Sequence, residues 1–238
     1  MFDNYFGRFQ TFLYDVSDTI ARSASMLLSR GIRVEGGEKP CTDGKSVIIL
    51  PQAMKRRLAA DEIDFVRYLL HHEGAHIKHS DDPPHTVSEL HFTIFNALED
   101  VRIEKLERTA HAGSMGIFSR GHNITRRIWD ERVERMDPDK VPIAMGVVNA
   151  IFGSFIEPER RDNKSGIPML DWCMDQTREF FPKIDNIGKV QYLKTGDLAD
   201  LAYEIYRKFK QGIRDEESKG EKSQGEDQVL SESAVKEA

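Results

Sequence analysis

No proline interrupts the chain between Pro51 and Pro83, and inside that window Ile63, Val66, Leu69 and Leu70 recur at roughly helical spacing. A segment with this period and no breaker is expected to fold as a helix, with Asp61 as its cap. The same run carries His72-Glu73-Gly74-Ala75-His76. Residues four apart on a helix lie about 40° apart, so both imidazoles leave one face and are able to grip one metal ion. Glu73 lies about 100° further round, on the side where a water nucleophile would sit, and is the expected catalytic base. A random match to this spacing in a chain of this His and Glu content arises about once in forty such sequences, so the helical context strengthens the motif.

Zinc held in a tetrahedral catalytic site takes three protein ligands, so a third must come from elsewhere. Asp81-Asp82-Pro83-Pro84 breaks the chain, and Thr86 to Thr109 then reads as a second helix with Val87, Leu90, Ile94, Leu98, Val101 and Ile103 as its apolar stripe. On this helix Asn96, Glu99 and Ile103 share one face, and Asp100 and Glu104 the neighbouring one. Glu99 is the expected third ligand, and Asp100 the expected outer partner of a ligand histidine. A plainer alternative makes the helix an ordinary charged one, its acids paired with Arg102, Lys105 and Arg108.

Six of the eight histidines fall between His71 and His91. His79 shares a face with His72 and His76 and is a further candidate contact for metal or substrate, with a solvated helix end as the alternative. His71 and His85 have no spacing argument, and His91 is assigned to packing. A donor for a developing oxyanion is also required. Tyr68, Arg102, His111 and His122 are the candidates, and the sequence does not rank them.

At 238 residues, 39% hydrophobic and 31% charged, the chain is long enough for one good core, alone or with a small subdomain. No stretch approaches the roughly 20 apolar residues of a membrane span, and the start lacks the pattern of a signal peptide, so a cytoplasmic location is expected. Two cysteines, Cys41 and Cys173, are too few for a disulfide framework and are read as buried free thiols. From Arg214 to Ala238 eight acids face four bases, which accounts for four of the six net negative charges. Residues 1–213 are therefore expected to form a metal-binding domain, and 214–238 an acidic, disordered tail or linker. The body is nearly neutral, and no nucleic-acid surface is implied.

The remaining pattern is helical. Phe2 to Ser29 reads as one amphipathic helix; Asp15-Val-Ser17-Asp-Thr19 within it matches the opening of a metal-ion-dependent adhesion motif, but the helical spacing on both sides makes this a coincidence. Ile32 to Glu35 and Ser46 to Leu50 read as two short strands of a hairpin ahead of the metal helix. After a break at Ala112 to Gly116, helices are expected from Asn123 or Thr125 to Met136, then Pro142 to Phe155, Pro168 to Phe181 and Thr195 to Lys210. The fold class is α+β, predominantly helical, with a small hairpin or sheet before the metal helix.

The helix-borne His72-Glu73-x-x-His76 followed by Glu99 resembles the zincin metallopeptidases of the gluzincin type. That resemblance implies zinc held by the two histidines and the later glutamate, with the motif glutamate activating water. A longer resemblance rests on Thr42-Asp-Gly-Lys-Ser-Val-Ile-Ile-Leu-Pro51 before the motif and Asn96-Ala-Leu-Glu-Asp-Val-Arg-Ile-Glu104 after it. These segments are similar to the N-terminal region of CobT-type proteins, phage-encoded relatives included, over roughly Gly31 to Trp129. It implies an acidic linker, a following von Willebrand factor A domain, and partnership with a MoxR-type AAA+ ATPase, as in cobalt chelation. The sequence given stops where such an A domain would begin.

Three readings follow. The first is a zinc-dependent peptidase whose strand at Ser46 to Leu50 pairs with an extended polypeptide substrate. The second is a partner subunit of an ATPase-linked chelatase or remodelling complex, its metal structural. The third is a helical domain with a fortuitous motif. An intact base favours the first over the second, because a structural site needs ligands and no base.

Overall fold

A computed structural model of the protein describes residues 31–37, 40–51, 60–189, 192 and 194–215. The helix expected over Phe2 to Ser29 and the acidic stretch beyond 215 lie outside these residues.

Three short strands come first: β1 (Arg33–Gly37), β2 (Cys41–Thr42) and β3 (Val47–Pro51). They form one sheet in the order β1-β3-β2. β1 and β3 run parallel, Arg33 opposite Val47, and only β2 pairs antiparallel to β3, with Cys41 opposite Ile49. The two strands legible in the sequence are thus not a hairpin. The hairpin is β2 with β3, and a two-residue strand is too short to leave a periodic signal. Its turn is set by Asp43, whose Oδ1 accepts the N–H groups of Lys45, Ser46 and Val47, each at 2.8 Å, while Gly44 takes φ 71. Backbone N–H donation from Val47, Ser46 and Lys45 holds the exposed Asp43 carboxyl down, to about 2.

Helices supply the rest. α1 is Ala60–His79, α2 Glu89–Ala110 and α3 Met115–Glu134. α4 (Ile143–Val148) continues through a π turn at Asn149–Gly153 into Ser154–Ile156. α5 is Pro168–Thr177, α6 Phe181–Asp185, and α7 spans 199–215 after a 3₁₀ turn at Thr195–Leu198. Asp61 lies in the first turn of α1, paired with Arg127, so the helix starts before the expected cap. Ser88 caps α2, accepting from the His91 N–H. α3 begins eight residues before Asn123, so Gly116 lies inside the helix and not in a break. A Cβ at Gly121 would lie 2.1 Å from Cγ of Tyr68, so the glycine lets α3 close on α1.

Two larger apolar clusters result. One gathers Ile32, Ile48, Phe65, Leu69, Phe118 and Ile128 between the sheet, α1 and α3. The other gathers Ile94, Leu98, Val147, Ile151, Ile184 and Ile205 among α2, α4, α6 and α7. α1 belongs to the first and α2 to the second, and polar side chains line the seam between the two helices. Cys173 is buried as expected, its thiol pushed up to about 12 by burial, but Cys41 is exposed on β2. Among the described residues no helix is long and apolar enough to cross a membrane.

Candidate metal centre

His72 and His76 sit one turn apart on α1 and meet Asp100 of α2 across the seam. Asp100 Oδ1 lies 3.2 Å from His76 Nε2 and 3.6 Å from His72 Nε2. One donor atom from each of the three residues falls within 4.8 Å of the others. All three side chains are partly buried, so solvent still reaches them. Asn96 donates to the other Asp100 oxygen at 3.4 Å.

The rear nitrogens of both rings are also held. Glu104, fully buried, accepts from His72 Nδ1 at 3.0 Å, from the Tyr68 hydroxyl at 3.0 Å and from His122 Nε2 at 2.5 Å. His76 Nδ1 lies 3.1 Å from Ser80 Oγ, whose O–H points to Glu99 at 2.6 Å. A carboxylate accepts and does not donate, so Nδ1 of His72 carries a proton toward Glu104, and a cation between the rings would meet the Nε2 lone pair in place of the Nε2 proton that Asp100 otherwise accepts. The Ser80 hydroxyl, already donating to Glu99, imposes the same orientation on His76.

The electrostatics agree. Burial pushes His72 down, yet its hydrogen bonds to Asp100 and Glu104 carry it well above its usual value. Burial raises Asp100, but hydrogen bonds from His72 and His76 take it below the ordinary carboxylate range. Glu104, raised by burial, is brought to about 2 chiefly by the charge and hydrogen bond of His122, with His72 adding to it. Asp100 therefore remains ionised and draws positive charge to the space between the two imidazoles, whether as a proton or as a cation.

The geometry brings Asp100, and not the expected Glu99, to the two histidines. Glu99 does not join the group. Its carboxylate is taken by Arg102, with Nε at 2.7 Å and Nη2 at 2.5 Å, and by the Thr195 hydroxyl at 3.1 Å. Arg102 is fully buried and also donates to the His79 carbonyl at 2.7 Å, so Glu99 offsets a cation that water cannot reach. Asp100, one position on, faces the histidines instead. Glu104 takes the outer role assigned to Asp100. Both omissions, Glu104 and Ser80, follow a simple rule: each stands four residues after a member of the group, on the same helical face.

Glu73 is buried beside its neighbours in the motif. Burial raises its pKa, partly offset by the charges of His72 and His76, so it binds a proton more readily than a solvated glutamate. Burial, with the charge of Glu73 added to it, raises the thiol of Cys41 on β2, a strand that packs on α1. β3, the strand expected to receive substrate, is the central strand, paired on both sides; among the described strands the outer side of β2 is open.

The other candidates point elsewhere. His79 turns to Glu107 at 3.0 Å, which also receives Lys78 at 3.2 Å and stands 3.7 Å from His111. His91 packs against Tyr203 and Tyr206. Of the four expected oxyanion donors, Tyr68 and His122 are bonded to Glu104, Arg102 to Glu99, and His111 lies beside Lys78 and Glu107. The π turn brings Phe152 against both His72 and His122, with ring centroids at 6.4 and 6.0 Å, and closes the apolar side of the site.

No protein-family model, no curated protein and no solved structure matches this chain.

Proposed function

We propose that the chain is a zinc-dependent hydrolase acting on polypeptides, with His72, His76 and Asp100 as the metal-holding residues and Glu73 as general base. One observation carries this reading: a ring nitrogen from each of His72 and His76 and a carboxylate oxygen of Asp100 converge within 4.8 Å, while acceptors hold the Nδ1 atoms of both rings. Two imidazoles and one carboxylate are the donor set of a three-ligand catalytic zinc site. When bound, zinc supplies Lewis acidity and makes water nucleophilic near neutral pH. Glu73, kept basic by burial, takes the proton of the attacking water. Among the described strands the outer side of β2 is open, and β2, which packs on α1, offers backbone groups there to an extended peptide.

A second reading keeps the metal and drops the reaction. The four residues expected as oxyanion donors, Tyr68, Arg102, His111 and His122, are engaged in internal networks. That favours a braced structural metal, which is what the alternative of a CobT-like partner subunit of a MoxR-type AAA+ ATPase calls for. Metal analysis with a polypeptide-cleavage screen separates the two. About one zinc per chain with cleavage abolished by Glu73→Gln supports the hydrolase. Full zinc, no cleavage, and a Glu73→Gln variant that complements a deletion supports the subunit.

A further inference from the structure

Resting on the metal-binding reading above, we propose that Glu104 is the positioning residue of the centre: it fixes His72 as the Nδ1–H tautomer and commits Nε2 to the metal, while Ser80 does the same, less strictly, for His76. Glu104 is fitted for this by its surroundings. It is 0% exposed, so no water competes for its oxygens. One oxygen receives Tyr68 and His72, the other receives His122, and this three-donor arrangement leaves the carboxylate no second orientation. The His122 ring is in turn enclosed by Tyr68, Phe118, Phe152 and Phe155, with centroids 5.7 to 6.3 Å away. Tyr68 is seated by the missing side chain of Gly121. The brace thus reaches from α1 through α2 and α3 to the π turn.

The two histidines are held unequally. A carboxylate only accepts, and so admits one tautomer of His72. A hydroxyl donates or accepts, and Ser80 is turned into an acceptor for His76 only by its own bond to Glu99. Removing an outer partner of a ligand histidine costs about 10- to 100-fold in metal affinity. The larger loss belongs to Glu104.

The test is zinc affinity by competition with a chromophoric chelator on the full chain, for wild type, Glu104→Gln, Ser80→Ala and Glu107→Gln. A glutamine has a single acceptor oxygen and presents N–H to the second histidine, so Glu104→Gln is expected to weaken zinc about 10- to 100-fold. Ser80→Ala is expected to lose less, and Glu107→Gln, whose carboxylate lies outside the group, nothing. Long-range 1H–15N correlation on zinc-loaded wild type gives a readout that needs no variant. It is expected to show His72 protonated at Nδ1 and coordinated through Nε2. Coordination through Nδ1, or a folded Glu104→Gln with wild-type affinity, overturns the proposal and leaves the metal-binding reading standing. Wild type that binds no zinc overturns both.

Discussion

Glu99 and Asp100 are consecutive acids on α2, and the structure gives them opposite tasks. Asp100 faces two partly buried histidines and Asn96, and among the described residues it forms no ion pair with an arginine or lysine. Glu99 faces Arg102, three residues on, in a place with no solvent. The first side of the helix has negative charge left over for a cation, and the second has already spent it. Guanidinium is always charged, so a carboxylate buried beside it is occupied before any metal arrives. What marks a candidate metal ligand is therefore the absence of a competing cation, and not residue type or motif spacing alone.

The largest expected effect breaks this comparison on the Asp100 side. Asp100→Asn should take zinc content from about one per chain to near zero, measured by plasma mass spectrometry after gel filtration, with little change in the metal-free melting curve. Retained zinc would mean that another carboxylate completes the set. On the opposite side, Glu99→Gln leaves Arg102 buried without its counter-ion and should cost about 3–5 kcal/mol of stability in a urea titration. It should weaken zinc through the Ser80 arm without abolishing binding. Equal stability losses for the two variants would show that the acids share one role.

Glu73→Gln sharpens the account on the chemical side. Zinc content and fold should persist, while cleavage of an unfolded polypeptide falls by about a hundredfold, the scale of general-base catalysis. A smaller effect belongs to Glu107, which resembles Asp100 in having histidine partners but already has Lys78 as its cation. Glu107→Gln should leave zinc unchanged and cost about 1–3 kcal/mol at pH 7. Burial raises Glu107, but hydrogen bonds from His79 and Lys78 outweigh it, so its folded pKa lies below 4.5. A depressed carboxyl contributes stability that is present above its unfolded pKa and lost as pH falls through the folded one. The gap between wild type and Glu107→Gln should accordingly close below pH 4.5. A gap that persists into strong acid would assign the effect to packing.

The helical frame was legible because periodicity and prolines report on it directly. α1 and α2 stand close to where the spacing of Leu69 and Ile94 puts them, and the π-turn helix close to the expected Pro142 to Phe155. The sheet was half legible: Asp43-Gly44 marks a turn, but the strand it serves is Cys41–Thr42, two residues long. The expected break at Ala112 to Gly116 ends earlier than its glycines suggest, since α3 already begins at Met115 and runs through Gly121, where the glycine is the contact surface for Tyr68. In the site, His72, His76 and Glu73 follow from one motif on one helix. Choosing between Glu99 and Asp100 depends on how α2 turns against α1 and on where Arg102 and Thr195 end up, and Thr195 lies 96 residues from Glu99 in sequence. No local pattern carries that information.

The most direct test of the central claim is the anomalous scattering of a zinc-soaked crystal, recorded on both sides of the zinc absorption edge. The account predicts one peak at about 2.0–2.2 Å from Nε2 of His72, Nε2 of His76 and a carboxylate oxygen of Asp100, with Glu99 still on Arg102. A peak bonded to Glu99, or none at these histidines in a crystal equilibrated with zinc, would contradict it.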